Sequence, residues 1–110
     1  MASFITSKCR PLKGSIKVPG DKSISHRSIM LGSIATGITK VSGFLQGEDS
    51  LATLNSFKEM GVQIDRRESN VIINGVGMHG LKEPSKPLNL GNSGTSIRLM
   101  SGLLSAQNFD

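Results

Sequence analysis

A chain of 110 residues and 11.7 kDa is the size of one small domain or of part of a larger one. Thirteen basic residues against eight acidic ones give a formal charge of +5. The cations are dispersed and Trp and Tyr are absent, which argues against a nucleic-acid tail or a base-stacking platform.

The single cysteine, Cys9, excludes an internal disulfide framework and reads as a small apolar residue on a strand. No apolar run has the length of a membrane span or a secretory leader, so a cytoplasmic protein is expected.

In chain order, Ser15-Ile16-Lys17-Val18 alternates polar and apolar and predicts a half-buried strand, ended by Pro19-Gly20. A helix is predicted over 25–35, capped by Ser23 or Ser25, with Met30, Leu31 and Ile34 on its apolar stripe. Residues 38–44 read as a strand. Gly47-Glu48-Asp49-Ser50 opens a second helix with Asp49 or Ser50 as N-cap. Leu51, Leu54, Phe57 and Met60 recur every three residues along it, and Gly61 is its expected C′ residue. Residues 62–64 and 71–73 predict a hairpin around the charged turn 65–70. A short strand at 88–90 leads to a helix over 95–105, apolar nearly all round and therefore expected to be buried. The alternation of helices and strands predicts an α/β fold.

Two stretches carry the chemistry. In PGDKSISHR (Pro19–Arg27) and GNSGTSIR (Gly91–Arg98), glycine, serine and cations stand where a loop enters a helix, an arrangement suited to holding an anion. Gly20, Ser25, Arg27 and Ala35 reappear as Gly91, Ser96, Arg98 and Ala106, shifted by 71 positions, which points to a structural repeat. A nucleotide phosphate loop is excluded: five residues, not four, separate Gly14 from Gly20, and Asp21 stands between glycine and lysine.

Lys22 and the two arginines at helix starts call for an anionic partner, since an uncompensated cation there opposes the helix dipole. His26 is open between an exposed helix position and a functional one, and His79 reads as structural or surface. Asp49 is first a helix cap and second a carboxylate for catalysis. Asn92 and Thr95 either shape their turn or face a ligand. Gly94 is required for a positive φ or for close approach of a ligand.

These motifs, with GEDS at Gly47–Ser50 and EMGV at Glu59–Val62, resemble the enolpyruvyl transferase family, on the branch that acts on shikimate 3-phosphate. The resemblance covers about Leu12 to Leu104. It implies a two-lobe α/β fold of repeated βαβαββ units, of which this chain is an N-terminal fragment. Residues 1–18 would form the first strand region of the C-terminal-side lobe, and residues 19–110 about one and a half units of the N-terminal-side lobe.

The implied reaction transfers the enolpyruvyl group of phosphoenolpyruvate to the 5-hydroxyl of shikimate 3-phosphate, without metal or organic cofactor. By position, Lys22 touches both substrates and assists proton transfer. Ser23 and Arg27 hold shikimate 3-phosphate. Asn92, Gly94 and Thr95 line the phosphoenolpyruvate pocket, with Asp49 and Arg98 nearby. The fragment alone is expected to be inactive and to self-associate or need the missing part, whereas the whole protein is expected to be a monomer inhibited by glyphosate.

Asp21 and His26 depart from the serine and asparagine commoner in the family signature. Two other readings are a transferase acting on UDP-N-acetylglucosamine, which usually has a lysine–asparagine pair where this chain has Lys22-Ser23, and a non-catalytic module that binds a small anion.

Overall fold

The computed structural model describes residues 2–110, in which six elements follow one another. They are α1 (Lys22–Ile34), β1 (Thr36–Val41), α2 (Glu48–Glu59), β2 (Gln63–Arg67), β3 (Asn70–Val76) and α3 (Gly94–Leu104). The sheet order is β1-β3-β2, and both outer strands run antiparallel to the central β3. The outer strands are therefore parallel to each other, joined through α2, with the hairpin strand β3 inserted between them.

Period-two alternation sets the faces of the sheet. Ile64, Val71 and Ile73 are buried, while Ile38 and Ile72 face outward. Ile29 and Met30 of α1, Leu54 and Phe57 of α2 with Met60 at its end, Met100 of α3, and Phe44, Val62 and Leu81 from the connecting segments complete the core. Gly75 continues the inward series of β3 where α1 ends. A Cβ there would collide with the Ala35 carbonyl oxygen, so glycine lets helix and strand close on each other.

The end of α2 is as expected. Gly61 has φ +88°, its N–H donates to the Lys58 carbonyl at 3.0 Å, and the Val62 N–H donates to the Phe57 carbonyl at 3.0 Å. These are the two bonds of a Schellman motif, and the buried Phe57 and Val62 supply its apolar contact.

Several expectations are overturned. Residues 15–18 form no strand. They are exposed, with Ile16 and Val18 in solvent, because no neighbouring strand among the described residues offers a ladder to their backbone. The leading strand of a βαβαββ unit is thus not formed within the described residues. Cys9 is exposed in the same irregular segment. Residues 88–90 are also irregular, with Leu88 and Leu90 packed against the core but unpaired in a sheet.

Helix α1 starts three residues earlier than expected because Asp21, not a serine, is the cap. Leu31 then points to solvent, and Ser25, His26, Ile29, Met30 and Ser33 face inward. Helix α2 is capped by Gly47, which places Asp49 inside the first turn. Strand β1 covers 36–41 rather than 38–44, and the hairpin turn shrinks to Glu68-Ser69 as the register pairs Arg67 with Asn70.

Helix α3 is not buried. Ser96 and Met100 face inward, while Ile97 and Leu99 are exposed, since no element among the described residues covers its outer side.

Candidate anion site at three helix starts

At the first junction the Asp21 side chain accepts the Ile24 N–H at 2.7 Å, an N-cap bond that fixes where α1 begins. Lys22 and Ser23 are consequently the first two helical residues, and their N–H groups have no partner within the helix. Ser25 is buried one turn on. Its hydroxyl donates to the Asp21 carbonyl at 2.7 Å and accepts the Leu45 N–H at 2.9 Å, tying the helix start to the segment that leads into α2.

The second junction is built alike. Ser93, buried, accepts the Ser96 N–H at 3.1 Å, leaving the Gly94 and Thr95 N–H groups without partners within α3. Gly91 supplies the turn with φ +61°, and its N–H donates to the Asn89 side chain at 2.9 Å. Asn89 and Ser93 therefore shape and cap this turn, rather than Asn92 and Thr95. Gly94 does not have a positive φ, so of the two reasons considered for it only close approach remains. A Cβ at Gly94 would lie 3.2 Å from the Arg98 guanidinium.

Side chains bring the two junctions and α2 together. Lys22 Nζ lies 2.5 Å from Asp49 Oδ2, an ion pair between the first turns of α1 and α2. The Lys22 side chain is 53% exposed and that of Asp49 22%, so the pair sits at the surface with the ammonium outermost. Asp49 also gains from its position at a helix start. Gly91 stands over the same turn, where a Cβ would come within 3.6 Å of Asp49 Oδ1.

Beneath the ion pair, His26 Nδ1 lies 2.8 Å from Thr53 Oγ1 and 3.1 Å from Ser96 Oγ, and the two hydroxyls are 2.6 Å apart. All three residues are fully buried. One helix contributes each group, so α1, α2 and α3 are pinned with their N-terminal ends on one side of the molecule. His26 is thus neither exposed nor aimed at a ligand from the surface.

One proton arrangement satisfies every donor of this cluster. His26 Nδ1–H donates to Thr53, Ser96 donates to Thr53, and Thr53 donates to the Asp49 carbonyl at 3.3 Å. Nε2 then carries only a lone pair, consistent with its having no partner among the described residues. Burial above all, and the Lys22 charge second, lower the His26 pKa below its ordinary 6.5, with Asp49 opposing. The ring is neutral at pH 7.

The remaining predicted residues divide. Arg27 and Arg98 are exposed on the second turns of α1 and α3, not the first, and neither makes a side-chain hydrogen bond or ion pair among the described residues. Their opposition to the helix dipole is correspondingly weaker. Ser23 and Thr95 are half-buried, and Asn92 is exposed.

Lys22, Gly47, Glu48 and Asp49 line one hollow, while Asn92, Gly94 and Ile97 line another. A larger groove between the outer side of α2 and residues 86–91 contains none of the predicted residues. His79 is exposed, and no group of three His, Cys, Asp or Glu among the described residues is placed to hold a metal.

Sequence reasoning missed Asp21 as a cap, and Thr53 and Ser96 as partners of His26. Only the shared 71-residue shift of Ser25 and Ser96 hinted that those serines are equivalent.

Residues 6–110 match the family described as EPSP synthase (3-phosphoshikimate 1-carboxyvinyltransferase). The chain is 63% identical over 110 residues to the 3-phosphoshikimate 1-carboxyvinyltransferase of Ruthia magnifica subsp. Calyptogena magnifica, covering all of this chain and 25% of that protein. It is 59% identical over 109 residues to that of Geobacter sp. (strain M21), covering 99% of this chain and 25% of the other. A solved structure of EPSP synthase from Acinetobacter baumannii superimposes with a TM-score of 0.83 at 63% identity, covering 87% of this chain and 22% of that one. The chain thus spans about a quarter of the length of the curated relatives it matches.

Proposed function

For this chain, which belongs to the EPSP synthase family, we propose that it contributes one wall of an active site that joins phosphoenolpyruvate to shikimate 3-phosphate. The 5-hydroxyl oxygen adds to C2 of phosphoenolpyruvate as C3 takes a proton. The tetrahedral adduct then loses phosphate and a C3 proton, giving 5-enolpyruvylshikimate 3-phosphate. This reading calls on no metal or organic cofactor.

The observation that carries it is the convergence of three helix starts on one side of the fold, with Lys22 at the surface and four N–H groups unused by α1 and α3. Multiply charged anions are held by such a combination of aligned N–H groups and cations. Lys22 uses one of its three donors on Asp49 and keeps the others for ligand. In this assignment Lys22 contacts both substrates and assists the hydroxyl proton, and Ser23 and Arg27 bind shikimate 3-phosphate. Asn92, Gly94 and Thr95 line the phosphoenolpyruvate side, with Arg98 beside them and Asp49 holding Lys22.

Residues 1–18 are assigned to the neighbouring lobe, where their exposed apolar side chains find a sheet, and residues 19–110 to the lobe described above. The working protein is a cytoplasmic monomer, and these 110 residues alone turn over no substrate. The relatives' shared name favours this substrate over UDP-N-acetylglucosamine.

Calorimetric titration with shikimate 3-phosphate tests the assignment, using a protein of the relatives' full length that carries this sequence. Lys22→Ala and Arg27→Ala each remove a charge-assisted contact, and affinity is expected to fall roughly 10-fold to 100-fold. Undiminished affinity in both variants refutes it.

A further inference from the structure

The two segments assigned above to the substrates lie on α1 and α3, yet these helices are far apart in sequence, and among the described residues α3 is covered on one side only. Among the described residues, every side-chain hydrogen bond from α3 to another helix passes through Ser96, which meets His26 and Thr53. Thr53 is the hub. Its hydroxyl lies within hydrogen-bond distance of His26, Ser96 and the Asp49 carbonyl, and it is fully buried. The Asp49 it touches through the backbone is the residue that holds Lys22. Hydrogen bonds that join one buried side chain from each of three helices favour one arrangement of those helices.

We propose that Thr53 is a positioning residue: through His26 and Ser96 it sets the register between the Lys22–Arg27 and Asn92–Arg98 halves of the site, while touching neither substrate. The division into two substrate halves rests on the function proposed above, whereas the register itself does not. Thr53→Val keeps the shape and removes the hydroxyl. Residues Lys22, Ser23 and Arg27 share one helix and move together, so affinity for shikimate 3-phosphate stays at the wild-type value. Misalignment of the α3 half appears instead in turnover and in the KM for phosphoenolpyruvate, with kcat/KM falling on the order of 10-fold to 100-fold.

The test uses the full-length protein carrying this sequence, with Thr53→Val, Thr53→Ser and Ser96→Ala. Expected are wild-type affinity for shikimate 3-phosphate in all three, impaired phosphoenolpyruvate kinetics in Thr53→Val and Ser96→Ala, and recovery in Thr53→Ser. A second readout needs no substrate. Spin labels at the exposed Leu31 and Ile97, with Cys9→Ser to remove the exposed thiol, report the α1–α3 distance. The distribution is expected to broaden or shift in Thr53→Val and to narrow again in Thr53→Ser.

An unchanged distribution in Thr53→Val overturns the proposal, as does an equal loss of affinity for both substrates. If the wild type binds no shikimate 3-phosphate, the substrate assignment fails and the label distances still decide the register. Should Thr53→Val not fold, Ser96→Ala takes its place in both measurements, and an unchanged distribution there overturns the proposal equally.

Discussion

The junctions at Pro19–Arg27 and Gly91–Arg98 share one plan and differ in one respect. Each has a glycine before the helix, a capping side chain that accepts the third helical N–H, a buried serine and an exposed arginine on the second turn. The first junction places Lys22 at the opening of its helix and neutralises it with Asp49 from α2. The second places Gly94 there, so its open N–H groups have no lysine beside them, and the atoms nearest to where a Gly94 Cβ would stand belong to Arg98. One junction therefore offers a cation held in place by a carboxylate, the other a bare backbone cradle. Two anions of different shape suit such a pair better than two copies of one ligand.

The largest effect is expected from the buried serines, where the shared plan is most demanding. Ser25→Ala strands the Leu45 N–H and loses the bond to Asp21, and it is expected to cost about 1–3 kcal/mol in urea unfolding of the chain. A change below a few tenths would mean that the Leu45 N–H finds another partner.

Next come the caps. Asp21→Ala and Ser93→Ala each remove one N-cap bond worth roughly 0.5–2 kcal/mol, with Asp21→Ala the costlier because its carboxylate also favours the helix dipole. Equal losses would show that the two junctions do not differ in charge balance.

The pH response separates them further. His26, held neutral by burial, has a pKa below 6.5, so the unfolded chain binds a proton that the folded chain does not. Its contribution is fully present above pH 6.5 and is lost as pH falls from there toward the depressed folded value. Unfolding midpoints collected across this window are expected to slope less in His26→Asn than in the wild type, and identical slopes would exclude a buried neutral ring.

The smallest effect is expected at Gly94. Its ordinary φ permits alanine, and the nearest atom is the mobile tip of Arg98. Gly94→Ala is therefore predicted to leave the melting temperature nearly unchanged and, on the function proposed above, to weaken phosphoenolpyruvate more than shikimate 3-phosphate in titrations of the full-length protein.

Much of this was legible in the sequence where the signal is local. The Leu51–Leu54–Phe57–Met60 spacing and Gly61 specify α2 and its end within one stretch of chain, because helix periodicity and an αL cap act over a few residues. The anion-holding character of PGDKSISHR and GNSGTSIR was likewise visible, since a loop-to-helix junction creates its own field.

Tertiary packing decided the rest. It tied Ser25 to Leu45 across 20 positions, took His26 inside, paired Lys22 with Asp49 across 27, and joined His26 to Ser96 across 70. Among the described residues it also left α3 half uncovered and residues 15–18 without a strand partner, although their composition suits burial. A side chain's local pattern states what it needs, whether an apolar face, a donor or a ladder. Which distant group meets that need depends on how the helices stack on the sheet, and no window of sequence contains both partners.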